Sequence, residues 1–324
     1  MTARPLKRLL KGLAAHLIEL RWRWSSRQAG LALCYHRVSD PGGDPARDLV
    51  PALDTKGFEA HVRYLKRRWR PVLASELLEA ARARRRGERF PLAITFDDDL
   101  ASHVDGAMPV LERHGAPATF FLCGASLERP FGFWWERLQR AWDSGTVDQG
   151  ILRTLGAEDG DSEPATIDRV SAAIQELPPD RRRALAQELK THAGPDPPDS
   201  GIRALDVSRL AAADFEIGFH TLHHDALTGL DDAALAAAMV DGRDELERAA
   251  GAPIAAISYP YGKVDRRVAE AARAAGYRWG FTSFGEAVGP NSDPLMLGRH
   301  DAGVATVGDL ALALASRLRD GRVS

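Results

Sequence analysis

Cysteine is scarce, with two in 324 residues, too few for a disulfide framework or a cysteine-rich metal site. Cys34 and Cys123 each sit inside an apolar, strand-like run, Leu31-Ala-Leu-Cys-Tyr35 and Ala118-Thr-Phe-Phe-Leu-Cys123, the usual setting of a buried and inert thiol. Long apolar runs are missing as well. No stretch approaches the ~18 residues of a membrane span, and no apolar run with a cleavage site follows the start. On that reading the chain is cytoplasmic, with peripheral contact at the inner membrane face the one association left open. Excess charge is also absent: 43 Lys and Arg against 45 Asp and Glu give a net charge of −2, so nothing pulls the whole chain toward nucleic acid. Neither repeats nor low-complexity tracts appear. What remains is an ordinary globular composition, 44% hydrophobic and 27% charged, in a chain long enough to bury a substantial core.

The first 28 residues depart from that average. Arg4, Lys7, Arg8, Lys11, Arg21, Arg23 and Arg27 face a single acid, Glu19, while Leu6, Leu9, Leu10, Leu13, Leu17 and Leu20 recur at helical spacing. Such a helix either lies on an anionic membrane surface or packs its leucines on the body and solvates its arginines. The packed reading takes precedence. Residues 29–320 then read as one domain.

Within that domain a strand over 30–36 ends in Tyr35-His36-Arg37, and a Pro/Gly/Asp-rich loop follows. Thr55 and Ser75 can cap the next two helices, the first with Phe58, Val62, Leu65 and Trp69 on one face. Further strands are expected at 91–97, 116–124, 215–220, 254–259, 277–283 and 295–299, nearly all followed by helices, including a long one over 232–250. From 130 to 205 the rhythm changes to helices and Pro/Asp/Gly joints, a helical insertion opened by Phe131, Phe133, Trp134 and Trp135. These aromatics either pack on the body or wall a sugar site, with packing preferred. About seven strands alternating with helices call for a parallel sheet with right-handed crossovers, and at this length an α/β barrel is favoured.

The stretch with most chemistry is Pro91-Leu-Ala-Ile-Thr-Phe-Asp-Asp-Asp99, an apolar run that ends in three consecutive acids. Carboxylates so crowded need a cation or donors if they are buried. About 120 residues on, His220-Thr-Leu-His-His224 closes another strand. In a barrel, functional groups gather at the C-terminal strand ends, which here carry Asp97, Asp98 and Asp99, then His220, His223 and His224, then Tyr261, then Arg299 and His300. His220 and His224 stand four apart and share a helical side, while His223 offers a three-residue spacing. One Asp with two His leaves open positions for water and substrate, the arrangement of a catalytic metal site. A metal so held polarises a carbonyl and acidifies water, and hydrolysis also needs a base and an acid.

These motifs resemble the polysaccharide deacetylases, also called NodB-homology or carbohydrate esterase family 4 proteins. Thr95-Phe-Asp-Asp-Asp99 is similar to T-F-D-D-G, His220-Thr-Leu-His-His224 matches H-[ST]-x-x-H, and Tyr259-Pro-Tyr-Gly262 resembles the P-Y-G element of the biofilm-polysaccharide branch. Tyr35-His-Arg37 and Phe58-Glu-Ala-His-Val-Arg-Tyr-Leu65 are similar to that branch too. The resemblance implies a distorted (β/α)7 barrel that removes N-acetyl groups from an amino-sugar polysaccharide or glycan precursor. It implies Asp97 as general base, Asp98, His220 and His224 as ligands of a divalent ion (zinc first, then cobalt, nickel or manganese), the Tyr261 backbone N–H in the oxyanion hole, and His300 as general acid. Asp99, Arg299 and His36 are candidates for substrate binding or tuning. Three positions depart from the pattern. Asp99 stands where the family usually has Gly, adding a charge beside the metal. Ser258 occupies the place of the third-motif Arg, which leaves Arg299 as a cation for Asp97, and Leu297-Gly-Arg-His300 does not keep the L-x-H spacing. The same fold and metal could serve O-acetyl esters or a non-sugar amide or imide, and a non-catalytic carbohydrate-binding relative is the alternative from another class.

Overall fold

A computed structural model of the chain describes residue 18 and residues 20–40, 48–147, 163–303 and 306–320. Alternation along the strands sorts side chains to two faces, and the sequence supplies apolar residues for both. The strands are β1 (Leu31–Tyr35), β2 (Arg70–Val72), β3 (Pro91–Asp97), β4 (Thr119–Leu122), β5 (Glu216–Phe219), β6 (Ala256–Ser258), β7 (Trp279–Phe281) and β8 (His300–Asp301). They pair in the order β7-β6-β5-β4-β3-β1-β8, all parallel, with β2 set against the first half of β3. Leu297 bridges to Phe281 of β7, and His300 and Asp301 pair with Leu33 and Cys34 of β1. One strip of chain therefore touches both edges, and the sheet curls into a half-barrel. The distorted (β/α)7 barrel expected from the sequence is the architecture found, with the short β2 in addition.

Ala32, Ala93, Phe121, Ala256, Phe281 and Leu297 turn inward and pack together. Their neighbours Leu31, Leu33, Tyr35, Leu92, Ile94, Phe96, Phe120 and Ile257 face outward onto the helices. Phe96 is the hub of that outer layer, stacked on Phe120 at 4.7 Å between centroids and edge-on to Phe58 at 5.7 Å. Burying each such ring stabilises the fold by roughly 1.5–3 kcal/mol.

The helices follow local chemistry. In α1 (Thr55–Arg68) the cap is Asp54, whose carboxylate accepts from Gly57 N at 2.8 Å, one residue before the Thr55 expected. After α2 (Leu77–Ala83) and α3 (Met108–His114) the chain crosses β4. It then builds α4 (Trp134–Asp143), α5 (Glu163–Gln175) and α6 (Pro179–Ala193), which return to β5 through α7 (Ala204–Ala212). The α4–α6 helices bury Phe133, Trp134, Trp135, Leu138, Val170, Ile174 and Leu189 in a core of their own. At its heart the Arg137 fork donates to Asp196 at 3.0 and 2.7 Å. The two ends of this excursion meet where the Ser126 hydroxyl donates to Ile202 O and accepts from Ile202 N, each at 2.8 Å. Gly201 makes that closure possible, since a Cβ there would stand 2.2 Å from Ser126 Cβ.

Two expectations are corrected. The helix over 232–250 is split into α8 (Asp232–Ala238) and α9 (Arg243–Ala250), because Gly242 takes a φ of 81° with Leu222 packed against it. The strand at 295–299 is β8, displaced to His300–Asp301. After α10 (Arg266–Ala274), the last helix, α11 (Val307–Asp320), is capped by Thr306 as expected, with Thr306 Oγ1 accepting from Asp309 N at 3.3 Å.

Of the N-terminal segment, residues 1–17 and 19 lie outside the described residues. Residues 20–23 are helical, and the carbonyls at and beyond their end are gathered by buried Arg84, which donates to Arg23 O and Arg27 O at 2.6 Å. No helix among the described residues is long and apolar enough to cross a membrane.

Candidate active site

The three acids at the end of β3 meet three different partners. Asp97 still follows the strand's alternation and points inward to Arg299, whose Nη1 and Nη2 donate to its two carboxylate oxygens at 2.6 Å each. Arg299 also donates to Thr95 Oγ1, Ser258 Oγ and Thr282 O, and Ser258 Oγ donates to Asp97 at 3.1 Å. Burial disfavours the charged form of Asp97, but the guanidinium overcomes it and holds the carboxyl well below the usual range. Arg299 thus stands where the sequence offered it, and Ser258 joins the same network.

Asp98 leaves the strand at a φ of 74° and swings to the histidines. Its Oδ1 lies 3.6 Å from His220 Nε2 and 3.4 Å from His224 Nε2, and has no hydrogen-bond partner. Burial, then the neighbouring charge of Asp97, pushes its carboxyl well above the usual range. Burial likewise lowers both histidines, so each favours the neutral, ligating form. The His220 Nδ1–H donates to Ser258 O at 2.8 Å, which turns Nε2 toward Asp98. Thr221, His224 and Tyr261 share the positive φ of Asp98, and Asp214 is the one other non-glycine residue with it among the described residues. Backbone strain is thus concentrated at this cluster.

Asp99 turns away from the cavity. Its two oxygens accept from four consecutive amides, Cys123 and Gly124 on one and Ala125 and Ser126 on the other, at 2.8 to 3.2 Å. The charge expected beside the metal instead sits in a backbone nest that fixes the loop after β4, where burial still raises the carboxyl against the pull of the four amides. His103, unmarked by any sequence signal, lies with Nε2 3.0 and 2.9 Å from the carbonyls of Asp97 and Asp98. Burial holds this imidazole at about 4, neutral and able to donate to both.

A cavity of about 200 Å³ brings Asp97, Asp98, His220, His224, His36 and Tyr261 together. Trp135, Phe133 and Tyr261 pack edge-on around His224 at 4.8, 5.9 and 4.6 Å. The insertion's aromatics therefore both pack and wall the site. Burial pushes the Tyr261 hydroxyl up to about 12, and it accepts from Trp134 Nε1 at 3.2 Å. His300 does not line this cavity. Inward-facing Leu297 and Arg299 send the next residue to the other side, where its charged neighbours are Arg317 and Asp301. His223 is exposed.

The donor set fits a divalent ion. Two ligand atoms each about 2.1 Å from a tetrahedral ion lie about 3.4 Å apart, and the Asp98–histidine separations match that with one buried oxygen unpaired. A second grouping, Cys34, His36 and Asp97, fits less well. Burial raises the Cys34 thiol, which keeps it protonated, and Asp97 is already held by Arg299.

A sequence-family model described as polysaccharide deacetylase matches residues 84–151 and 188–280. The chain belongs to the polysaccharide deacetylase family. It is a hydrolase of that kind, and the match breaks off inside the helical excursion, between 151 and 188. The fold agrees with solved members. A Streptococcus pyogenes deacetylase, PplD, in complex with acetate is 13% identical, with a TM-score of 0.59 over 88% of this chain and 96% of that one. IcaB from Ammonifex degensii is 18% identical, with a TM-score of 0.57 over 90% and 97%. Among curated proteins none matches.

Proposed function

We propose that this deacetylase removes N-acetyl groups from an amino-sugar glycan or its precursor, using Asp97 as base and a divalent ion on Asp98, His220 and His224. One observation carries the reading: an unpaired, buried carboxylate oxygen between two imidazoles, in the same cavity as an arginine-clamped carboxylate. A bound divalent ion, zinc first and then cobalt, nickel or manganese, supplies Lewis-acid polarisation of the acyl carbonyl and acidification of water.

The chain's own groups do the rest. Asp97 takes a proton from the attacking water as the C–O bond forms, and Arg299 and Ser258 keep its oxygens aimed. The Tyr261 N–H, on a strained turn at the cavity wall, donates to the oxyanion of the tetrahedral intermediate. His36 lines the cavity and His300 does not, so His36 is assigned the proton given to the leaving amine as the C–N bond breaks. Trp134 and Trp135 exclude water from the opposite side.

Elemental mass spectrometry on the wild type, Asp98→Asn and His224→Ala tests the site. About one divalent ion per chain, lost in both folded variants, is expected. Full retention in both, or no binding even after incubation with zinc, cobalt, nickel and manganese, contradicts it.

A further inference from the structure

The α4–α6 helices stand over the catalytic cavity and are tied to the barrel around its rim. On the β1 side Glu136 meets Arg37 at 3.6 Å. On the β5 side Arg182 and Arg183 hold Asp225 at 3.0 and 2.8 Å. On the β6 side Trp134 donates to the Tyr261 hydroxyl, and Lys263 meets Glu176 at 2.9 Å. The β3–β4 side is the root of the excursion, pinned by Asp99 and by Ser126 with Ile202. Trp134, Trp135, Ser171 and Gln175 complete the cavity from above. What is left among the described residues is the contiguous β7–β8 side, where Gly262 and Ser283 form the wall and the next residue, Phe284, is 59% exposed.

A polymer bound by an interior unit needs two exits from a groove, one for each direction of its chain. Among the described residues, the ties on the other sides leave one. The volume of about 200 Å³ is also small against the ~300–1,000 Å³ of pockets that enclose drug-sized ligands. We propose that the site is blind and takes a single terminal N-acylated amino sugar, with the following unit leaving past Phe284 and stacking on its ring. The inference rests on the deacetylase reading and adds which unit of the glycan is taken. Phe284 is then a specificity-determining residue for what lies outside the cavity.

Oligosaccharides of N-acetylglucosamine from one to six units, β-1,4- and β-1,6-linked, are the probes, with the metal-loaded wild type and its variants. Acetate release and tandem mass spectrometry of the products show which unit has lost its acetyl group. Loss confined to one terminal unit, at a rate per chain that levels off once a second unit is present, is expected. Loss from interior units, or a rate that keeps growing with each unit beyond the second, overturns the proposal. Phe284→Ala is expected to raise KM for the trisaccharide about 3- to 10-fold, with kcat and the monosaccharide KM unchanged. An unchanged trisaccharide KM removes Phe284 from the account. Trp134→Ala, if folded by circular dichroism, is expected to admit interior units, and an unchanged product pattern counts against the roof. No acetate from any probe, with metal bound, sinks the deacetylase reading and this inference together.

Discussion

Three adjacent carboxylates are tolerated at the end of β3 because each has a different electrostatic partner. Asp97 has a guanidinium, Asp98 has two imidazoles and the place for a cation, and Asp99 has four amides. The division sets residue-scale outcomes. Asp97→Asn is expected to lower kcat roughly 10²- to 10⁴-fold without loss of bound metal, read by acetate release beside metal content. Arg299→Gln removes the charge that holds Asp97 ionised, so its carboxyl rises toward the usual range or beyond. Activity in that variant then fails first as pH falls, and the acid limb of kcat/KM moves upward relative to wild type. A limb that stays in place would show that Arg299 does not govern Asp97. His36→Gln is expected to lose about 100-fold in kcat, whereas His300→Gln, outside the cavity, stays within about twofold of wild type. The reverse result would return the acid role to His300.

At the scale of elements, the site depends on a loop and a roof. Asp99→Gly restores the T-F-D-D-G pattern that the motif resembles and leaves the amides of residues 123–126 without their acceptor. A loss of about 1–3 kcal/mol in denaturant unfolding, with metal content unchanged, is expected. Within the roof, burial works against the Asp196 charge, but the Arg137 fork prevails and lowers its pKa to about 2 from 3.8. The sign follows directly. The folded state binds this proton more weakly than the unfolded one, so the pair stabilises the fold above pH ~4 and its contribution disappears as pH falls toward ~2. Arg137→Met removes the fork but leaves Asp196 with Arg140 at 2.8 Å and Lys190 at 3.6 Å, and is expected to cost about 1.5–3 kcal/mol, measured by chemical denaturation near neutral pH. The strands and most helices were legible because apolar periodicity and Gly or Asp punctuation are local signals. The break at Gly242 was not, because an internal glycine in a helical pattern carries no sign of whether the chain will turn there. β2 escaped for the opposite reason: three residues, Arg70 to Val72, hold strand geometry only because the edge of β3 is there to pair with them.

For the molecule as a whole, the sequence pointed to the Asp98, His220 and His224 cluster, a grouping that could hold a metal ion, because its residues close apolar runs. Asp98 follows β3 and His220 follows β5, and a parallel sheet brings such ends together whatever the details. What it could not locate depends on how the sheet closes. Residues 297–301 cross between β7 and β1, and a shift of one residue there exchanges Arg299 with His300 beside Asp97. The roof was legible as helices but not as a cover, since the ties of Glu136, Arg182 and Glu176 reach loops distant in sequence. Because the cluster is built by the folded barrel alone, a fitting ion should stabilise it. With free ion at 100 times Kd, about 2.7 kcal/mol is expected, seen as a rise in unfolding temperature absent in Asp98→Asn.

The most direct test of the account is acetate release from an N-acetylglucosamine oligosaccharide by one preparation taken through chelation and reloading, with Asp97→Asn alongside. The account expects release by the metal-loaded chain, loss on chelation, recovery on reloading with zinc or cobalt, and none above background from metal-loaded Asp97→Asn. Release that survives chelation, or that persists in Asp97→Asn, would contradict it.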